Sequence, residues 1–257
     1  MPFATNPDDG VKIYYEVEGK GPPVVFHHGG SGSHSQWRDL GYIEALRDQF
    51  QVIVFDSRGR GRSDKLTTPE AYRYEQWVND VVAILDDLQV ERAHFFGYSL
   101  GGLVGFRIPL YAPDRFKSLM LGGSHPYGLR DFWQGEYERF KDGGKLAIEA
   151  AWDAGRPLPE VLIETLRSGA PEAIALALRE EPSVEDKLPA ITIPTLLFIG
   201  ANDATGNSGH RTPEAARAIP DATLLMFSGL GHFDLLRRLD LLVPHVRAFI
   251  DRVEATD

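Results

Sequence analysis

The sequence contains no cysteine. Disulfide staples, thiol nucleophiles and cysteine-ligated metals are therefore excluded. Cationic residues are also scarce. There are 27 Lys and Arg against 37 Asp and Glu, a formal charge of -10 with His neutral, and no long basic run occurs. That balance argues against a nucleic-acid or anionic-membrane surface. No stretch approaches the ~20 apolar residues needed to span a bilayer. The opening, MPFATNPDDGVKIYYEVEG, lacks the basic region and apolar run of about 7–15 residues that mark a secretory signal. A cytoplasmic protein with no membrane span is the expectation. Repeats and low-complexity tracts are missing too. What is present is an ordinary globular composition, 43% hydrophobic and 25% charged over 257 residues, long enough for a sizeable core.

Short apolar runs alternate with helical patterns through the first half of the chain. Val11 to Val17 and Val24 to His28 read as strands flanking a turn at Glu18–Pro23, which predicts an opening hairpin. A helix is expected over about Gln36–Asp48, then a strand at Val52–Phe55. A second helix is expected over Pro69–Leu88, with Trp77, Val81, Ile84, Leu85 and Leu88 on one stripe. Ala93–Tyr98 reads as a strand that turns at Ser99 into a helix, which Pro109 bends or ends. Ser118–Gly122 is the next strand. This alternation is the signature of an α/β protein with a mostly parallel sheet flanked by helices.

From His125 to Lys187 the pattern changes to helices alone, at about Asp131–Phe140, Lys145–Trp152, Glu160–Arg167 and Pro171–Leu178. The breaks fall at Gly143-Gly144, Gly155-Arg156-Pro157 and Ser168-Gly169, and the block reads as a small helical insertion. Strands return at Pro194–Gly200 and Ala222–Phe227. Helices are expected at Thr212–Ile219 and Leu235–Val253, the latter interrupted at Pro244.

The strongest local signal is Gly97-Tyr98-Ser99-Leu100-Gly101, a G-x-S-x-G nucleophile elbow between a strand and a helix. Small flanking residues permit the sharp turn that projects a serine. The helix start adds free amides and a positive dipole end. A serine hydroxyl needs a base. His232, in a loop between the last strand and the closing helix, is the candidate among eight histidines; His94 reads as a packed strand residue, and His245 lies too far down the last helix. The imidazole in turn needs an acid. Asp203 follows the strand ending at Gly200 and gives the chain order serine, acid, histidine. Asp221 precedes its strand, Asp234 is too near His232 in sequence, and Asn202 carries no charge. The oxyanion needs two amides. Leu100 offers one and Gly30 the second, with Gly29 and Ser31 as alternatives. The glycine stretch lacks the Gly-Lys-Ser/Thr ending of a phosphate loop and the spacing of a dinucleotide site. No HExxH or calcium loop is present. This chemistry requires no cofactor and no metal, and its partner is a small-molecule substrate.

Taken together, His28-Gly29-Gly30, the loop Asp56-Ser57-Arg58-Gly59-Arg60-Gly61-Arg62-Ser63, the Ser99 elbow, Asp203 and His232 resemble the α/β-hydrolase-fold superfamily, in its serine-nucleophile esterase and lactonase branch. The resemblance spans almost the whole chain. It implies a largely parallel sheet with an initial antiparallel portion. It also implies a core of residues 1–124 and 187–257 and a helical cap at 125–186 closing over Ser99. Asp56 and Arg58 then organise a structural loop, and Arg58, Arg60 and Arg62 are cations able to bind anions on a glycine-shaped turn. The cap aromatics Phe132, Trp133, Tyr137, Phe140 and Trp152 suggest a hydrophobic roof. The expected activity is cleavage of a small or medium carboxylic ester or lactone through an acyl-enzyme. Relatives that open epoxides or remove halide use an aspartate where Ser99 stands. Proline iminopeptidases carry proline at Ser31 and tryptophan at Leu100, and use cap acids; Glu136, Glu138, Glu149, Glu164, Glu172, Glu180 and Glu181 are available here. Carbon–carbon bond hydrolases, cofactor-free perhydrolases and non-catalytic ligand-binding proteins share the fold.

Overall fold

The computed structural model describes residues 2–155, 158 and 160–256. Eight strands form one sheet: β1 (Phe3–Thr5), β2 (Lys12–Glu18), β3 (Pro23–His27), β4 (Gln51–Phe55), β5 (Ala93–Tyr98), β6 (Phe116–Gly122), β7 (Thr195–Gly200) and β8 (Ala222–Phe227). Their spatial order is β1-β2-β4-β3-β5-β6-β7-β8. The first two pairings are antiparallel and every later one is parallel. The central strands are apolar at consecutive positions because both faces are covered. Val25, Ile53, Phe95 and Leu197 enter one core, and Val24, Phe26, Val54, Phe96 and Phe198 enter the other.

The predicted opening hairpin does not form. β2 pairs antiparallel with β4, Tyr15 opposite Phe55, while β3 takes the other side of β4 in parallel. Both strands use β4 as their partner, so the turn between them steps over it. β1 was not expected; its three residues are too few to show a period.

The helices are α1 (Ser35–Asp39), α2 (Tyr42–Leu46), α3 (Tyr74–Asp87), α4 (Leu100–Gly105), α5 (Ile108–Tyr111), α6 (Arg130–Asp153), α7 (Glu160–Arg167), α8 (Ala170–Glu180), α9 (Ser208–Ala218), α10 (His232–Leu236) and α11 (Leu239–Glu254). The single helix expected over 36–48 is two short ones, because Gly41 takes a left-handed φ of 86°. The helix expected from Pro69 begins as a 3-10 turn, and its α-helical part starts at Tyr74. The closing helix breaks before Leu239 and runs through Pro244, not the reverse. Within α6 the backbone leaves helical geometry at Lys141–Gly144, where the Gly143-Gly144 break was expected. Of the break expected at Gly155-Arg156-Pro157, Arg156 and Pro157 lie outside the described residues.

Trp77, Val78 and Ile84 of α3 pack on one sheet face with Val104 of α4; Trp37 and Tyr42 of α1 and α2 pack on the other with Val246 and Ile250 of α11. Between β6 and β7 the described residues hold helices and no strand. Among the described residues no helix is long and apolar enough to cross a membrane.

Candidate active site

The parallel strands β3, β4, β5, β7 and β8 point their carboxyl ends to one edge of the sheet, where ligands of such sheets bind. Each delivers one part of the candidate site: the Gly29-Gly30 turn, the Asp56 loop, Ser99, Asp203 and His232 respectively.

Ser99 has φ 56° and ψ -113°, a strained geometry for a residue with a side chain. Close approach of the backbone on both sides enforces it. A Cβ on Gly97 would lie 2.3 Å from the Gly101 carbonyl oxygen, and one on Gly101 would lie 2.2 Å from that of His27. The Ser99 amide donates to the Gly122 carbonyl at 2.8 Å, which ties the elbow to β6.

Asp203 is buried at 2% exposure. Its Oδ1 accepts the Thr205 amide at 2.9 Å, and its Oδ2 accepts His232 Nδ1 at 2.7 Å. Nδ1 therefore carries the proton, and Nε2 is left with its lone pair. Tyr98, beside the serine, donates its hydroxyl to the His232 carbonyl. Among the described residues no hydrogen bond joins Ser99 Oγ to His232; both side chains border one cavity. In substrate-free enzymes that contact is often long and tightens on binding.

Gly30 and Leu100 border the same cavity as Ser99. Neither amide has an intramolecular acceptor among the described residues. Gly29 faces the serine from 3.3 Å, measured from where its Cβ would stand to Ser99 Cβ. The Gly29–Gly30 peptide is held from behind. His28 Nε2 accepts the Ser57 amide at 3.1 Å, so its Nδ1 bears the proton and donates to the Gly29 carbonyl at 2.7 Å. Burial pushes the His28 pKa down to about 4 and that of His27 down to about 3, so both rings are neutral at pH 7. His28 stands in the His28-Gly29-Gly30 motif, but nothing in that motif shows that its ring holds the glycine carbonyl.

Asp56 serves the loop. Its Oδ1 accepts the His34 amide and His34 Nδ1, each at 2.8 Å, and its Oδ2 accepts the Arg62 amide at 2.8 Å. Burial opposes its charge, but these amide hydrogen bonds outweigh it and hold the carboxyl below its ordinary range. Arg58 makes a two-pronged bond to buried Asp80, at 2.7 and 2.6 Å. His94 packs within the sheet between Ser118 and Glu254, and His245 lies on α11 near Phe227. Asp221 sits at the opposite strand end, its carbonyl bonded to the Thr195 amide.

The cavity measures about 1150 Å³. Phe132, Trp133 and Phe140 form part of its wall. Two of the expected roof aromatics do not: Tyr137 packs against the core, and Trp152 is 72% exposed. Of the helical acids only Glu136 borders the cavity, and Arg139 pairs with it at 3.0 Å. Among the described residues no group of three or more His, Asp or Glu is placed to hold a metal ion.

This fold, with a strained serine elbow above its central strand, defines a class. The sequence model of the alpha/beta hydrolase fold matches residues 22–154, and the chain belongs to that family, in its esterase- and lactonase-like branch. It is similar to 3-oxoadipate enol-lactonase 1 of Acinetobacter baylyi, 30% identical over 195 residues that cover 71% of each chain. Among solved structures it is similar to a thermophilic esterase from Thermogutta terrifontis, with a TM-score of 0.80 at 25% identity over 98% of each chain. It is also similar to the enol-lactonase from Burkholderia xenovorans LB400, with a TM-score of 0.79 at 25% identity, covering 97% of this chain and all of that one. Fold and relatives together make this chain a hydrolase.

Proposed function

We propose that the protein is a serine hydrolase that cleaves a small or medium carboxylic ester, lactones included, through an acyl-enzyme. The observation that carries this reading is the 2.7 Å bond from His232 Nδ1 to buried Asp203 at the mouth of the Ser99 elbow. That bond fixes the tautomer in which Nε2 is a base. Ser99 Oγ attacks the carbonyl carbon while Nε2 takes its proton. The Gly30 and Leu100 amides donate to the oxyanion, and Asp203 stabilises the imidazolium. The imidazolium then protonates the departing alkoxide. Water, deprotonated by Nε2, cleaves the acyl-enzyme and restores Ser99. Lactones share the electrophile, and the resemblance to two enol-lactonases supports including them. In this reading residues 125–186 act as a cap over Ser99, and 1–124 with 187–257 form the core.

The test is initial-rate hydrolysis of p-nitrophenyl esters from acetate to laurate, a lactone and proline p-nitroanilide, by the wild type and Ser99→Ala. Ester or lactone turnover that falls on the order of 10⁵-fold in the variant is expected. Turnover of the anilide alone would replace this reading with an aminopeptidase. Ester turnover unchanged in Ser99→Ala would remove the serine from the mechanism.

A further inference from the structure

The loop after β4 carries three arginines, and the structure gives them different surroundings. Arg58 is neutralised by Asp80 and by Asp9, the latter at 2.8 Å. Arg62 lies over the Tyr14 ring, 4.6 Å from its centroid, and donates to its hydroxyl at 2.7 Å. Arg60 is 8% exposed, yet no carboxylate pairs with it among the described residues. Its Nε donates to the Gly30 carbonyl at 2.6 Å, and its Nη1 to the Gly59 carbonyl at 3.2 Å. Nη2 has no protein acceptor among the described residues. It is not sealed in, and the residue borders the same cavity as Ser99.

A buried cation without a counter-charge is costly and rare unless something else supplies that charge. Burial pushes the Arg60 pKa down to about 10, so it remains protonated at pH 7. The acids bordering the cavity are already engaged: both Asp56 oxygens hold backbone amides, and Glu136 pairs with Arg139. Among the described residues the charged lining is therefore Arg60, Arg62 and Arg139 against Asp56 and Glu136, an excess of one positive charge. The chain as a whole carries -10. The planar fork of Arg60 matches a carboxylate, and Asp56 and Glu136 on the same wall disfavour a ligand carrying a second negative charge.

We propose that Arg60 is a substrate-recognition residue, which binds a free carboxylate on the acyl portion of the ester or lactone. This rests on the ester-hydrolase reading above. Arg60 is bonded to Gly30, whose amide serves the acyl oxygen. The carboxylate it binds therefore belongs to the same half of the substrate as the reacting carbonyl.

The test compares monomethyl glutarate with methyl valerate, an ester of equal chain length without the charge, by proton release on the intact chain. The wild type should prefer the charged ester by about 10-fold or more in kcat/KM. In Arg60→Gln the ratio of the two values should fall on the order of 100-fold. Arg60→Lys, which keeps the cation and loses the fork, should retain part of the preference. Equal losses on both esters would assign Arg60 only to holding the Gly30 loop and would overturn the proposal. So would a wild type that favours methyl valerate. A second arm needs no turnover: glutarate binding to Ser99→Ala by calorimetry. Binding that disappears in Ser99→Ala/Arg60→Gln supports the subsite even if neither ester is hydrolysed and the ester-hydrolase reading falls. Glutarate that does not bind, or binds both proteins equally, overturns it.

Discussion

At the scale of single residues, the site is a sequence of fixed tautomers. The Asp203 carboxylate can only accept, so it holds the proton on His232 Nδ1. Asp203→Asn would present an amide that donates to Nδ1 and would move the proton to Nε2, where it blocks base catalysis. We expect kcat to fall about 10⁴-fold with the fold intact. Steady-state kinetics beside a circular dichroism melt checks this; a loss below tenfold would take Asp203 out of its role. The same logic operates at His28, where the Ser57 amide fixes the tautomer that grips the Gly29 carbonyl. The placement of Ser99, Leu100, Asp203, His232 and Gly30 just beyond strand ends on one edge of the sheet was legible because each lies in a local strand-then-turn pattern. His28 and Arg60 were in plain view in the same motifs, Arg60 as one of three cations able to bind anions, yet the partners that set them in place were not legible. Each depends on an atom from another loop: the Ser57 amide for His28, the Gly30 carbonyl for Arg60. Spacing within one segment carries no information about such pairings.

At the scale of elements, period and punctuation located strands and helices well, and failed where partner choice decides the outcome. The apolar run of β3 is the same whether it pairs with β2 or with β4; only the assembled sheet selects β4. Pro244 is tolerated inside α11, and the break falls instead at Arg238, which has φ -96° and ψ 68°. The helices between β6 and β7 were legible as helices, and Phe132, Trp133 and Phe140 of the expected aromatics reach the cavity, but that Tyr137 and Trp152 do not was not legible. Phe132 borders it while Trp152 faces solvent, and both lie in α6. Phe132 packs edge-on against Trp133 with centroids 5.1 Å apart, so its removal opens the wall beside an intact indole. Phe132→Ala should shift the preferred acyl length toward longer esters, with kcat/KM for the shortest ester falling by about 10-fold as its apolar contact is lost. The ester series run on both proteins reads this directly. An unchanged profile would mean that acyl chains do not touch this wall.

At the scale of the whole molecule, two apolar layers sandwich a sheet whose centre contains polar rings. His27 is fully buried beside Phe55, Phe95 and Trp77, and among the described residues its Nε2 has no hydrogen-bond partner. Burial holds its pKa at about 3, against the ordinary 6.5 that an unfolded chain restores. Below pH 6.5 the unfolded state thus binds a proton that the folded state refuses. Stability is fully present above that pH and is lost as pH falls toward 3. The carboxylates of a chain at -10 also titrate on acidification, so the absolute slope mixes several groups. A difference between two proteins isolates one ring. His27→Leu removes the titrating group and keeps an apolar side chain among the three aromatics. Between pH 7 and pH 5, the wild type should lose on the order of 2 kcal/mol more than His27→Leu, as linkage requires for one buried neutral imidazole. Urea unfolding of both proteins at the two pH values measures the difference. Equal losses would mean that His27 accepts its proton while folded, and the neutral ring inferred from its enclosure would have to be abandoned.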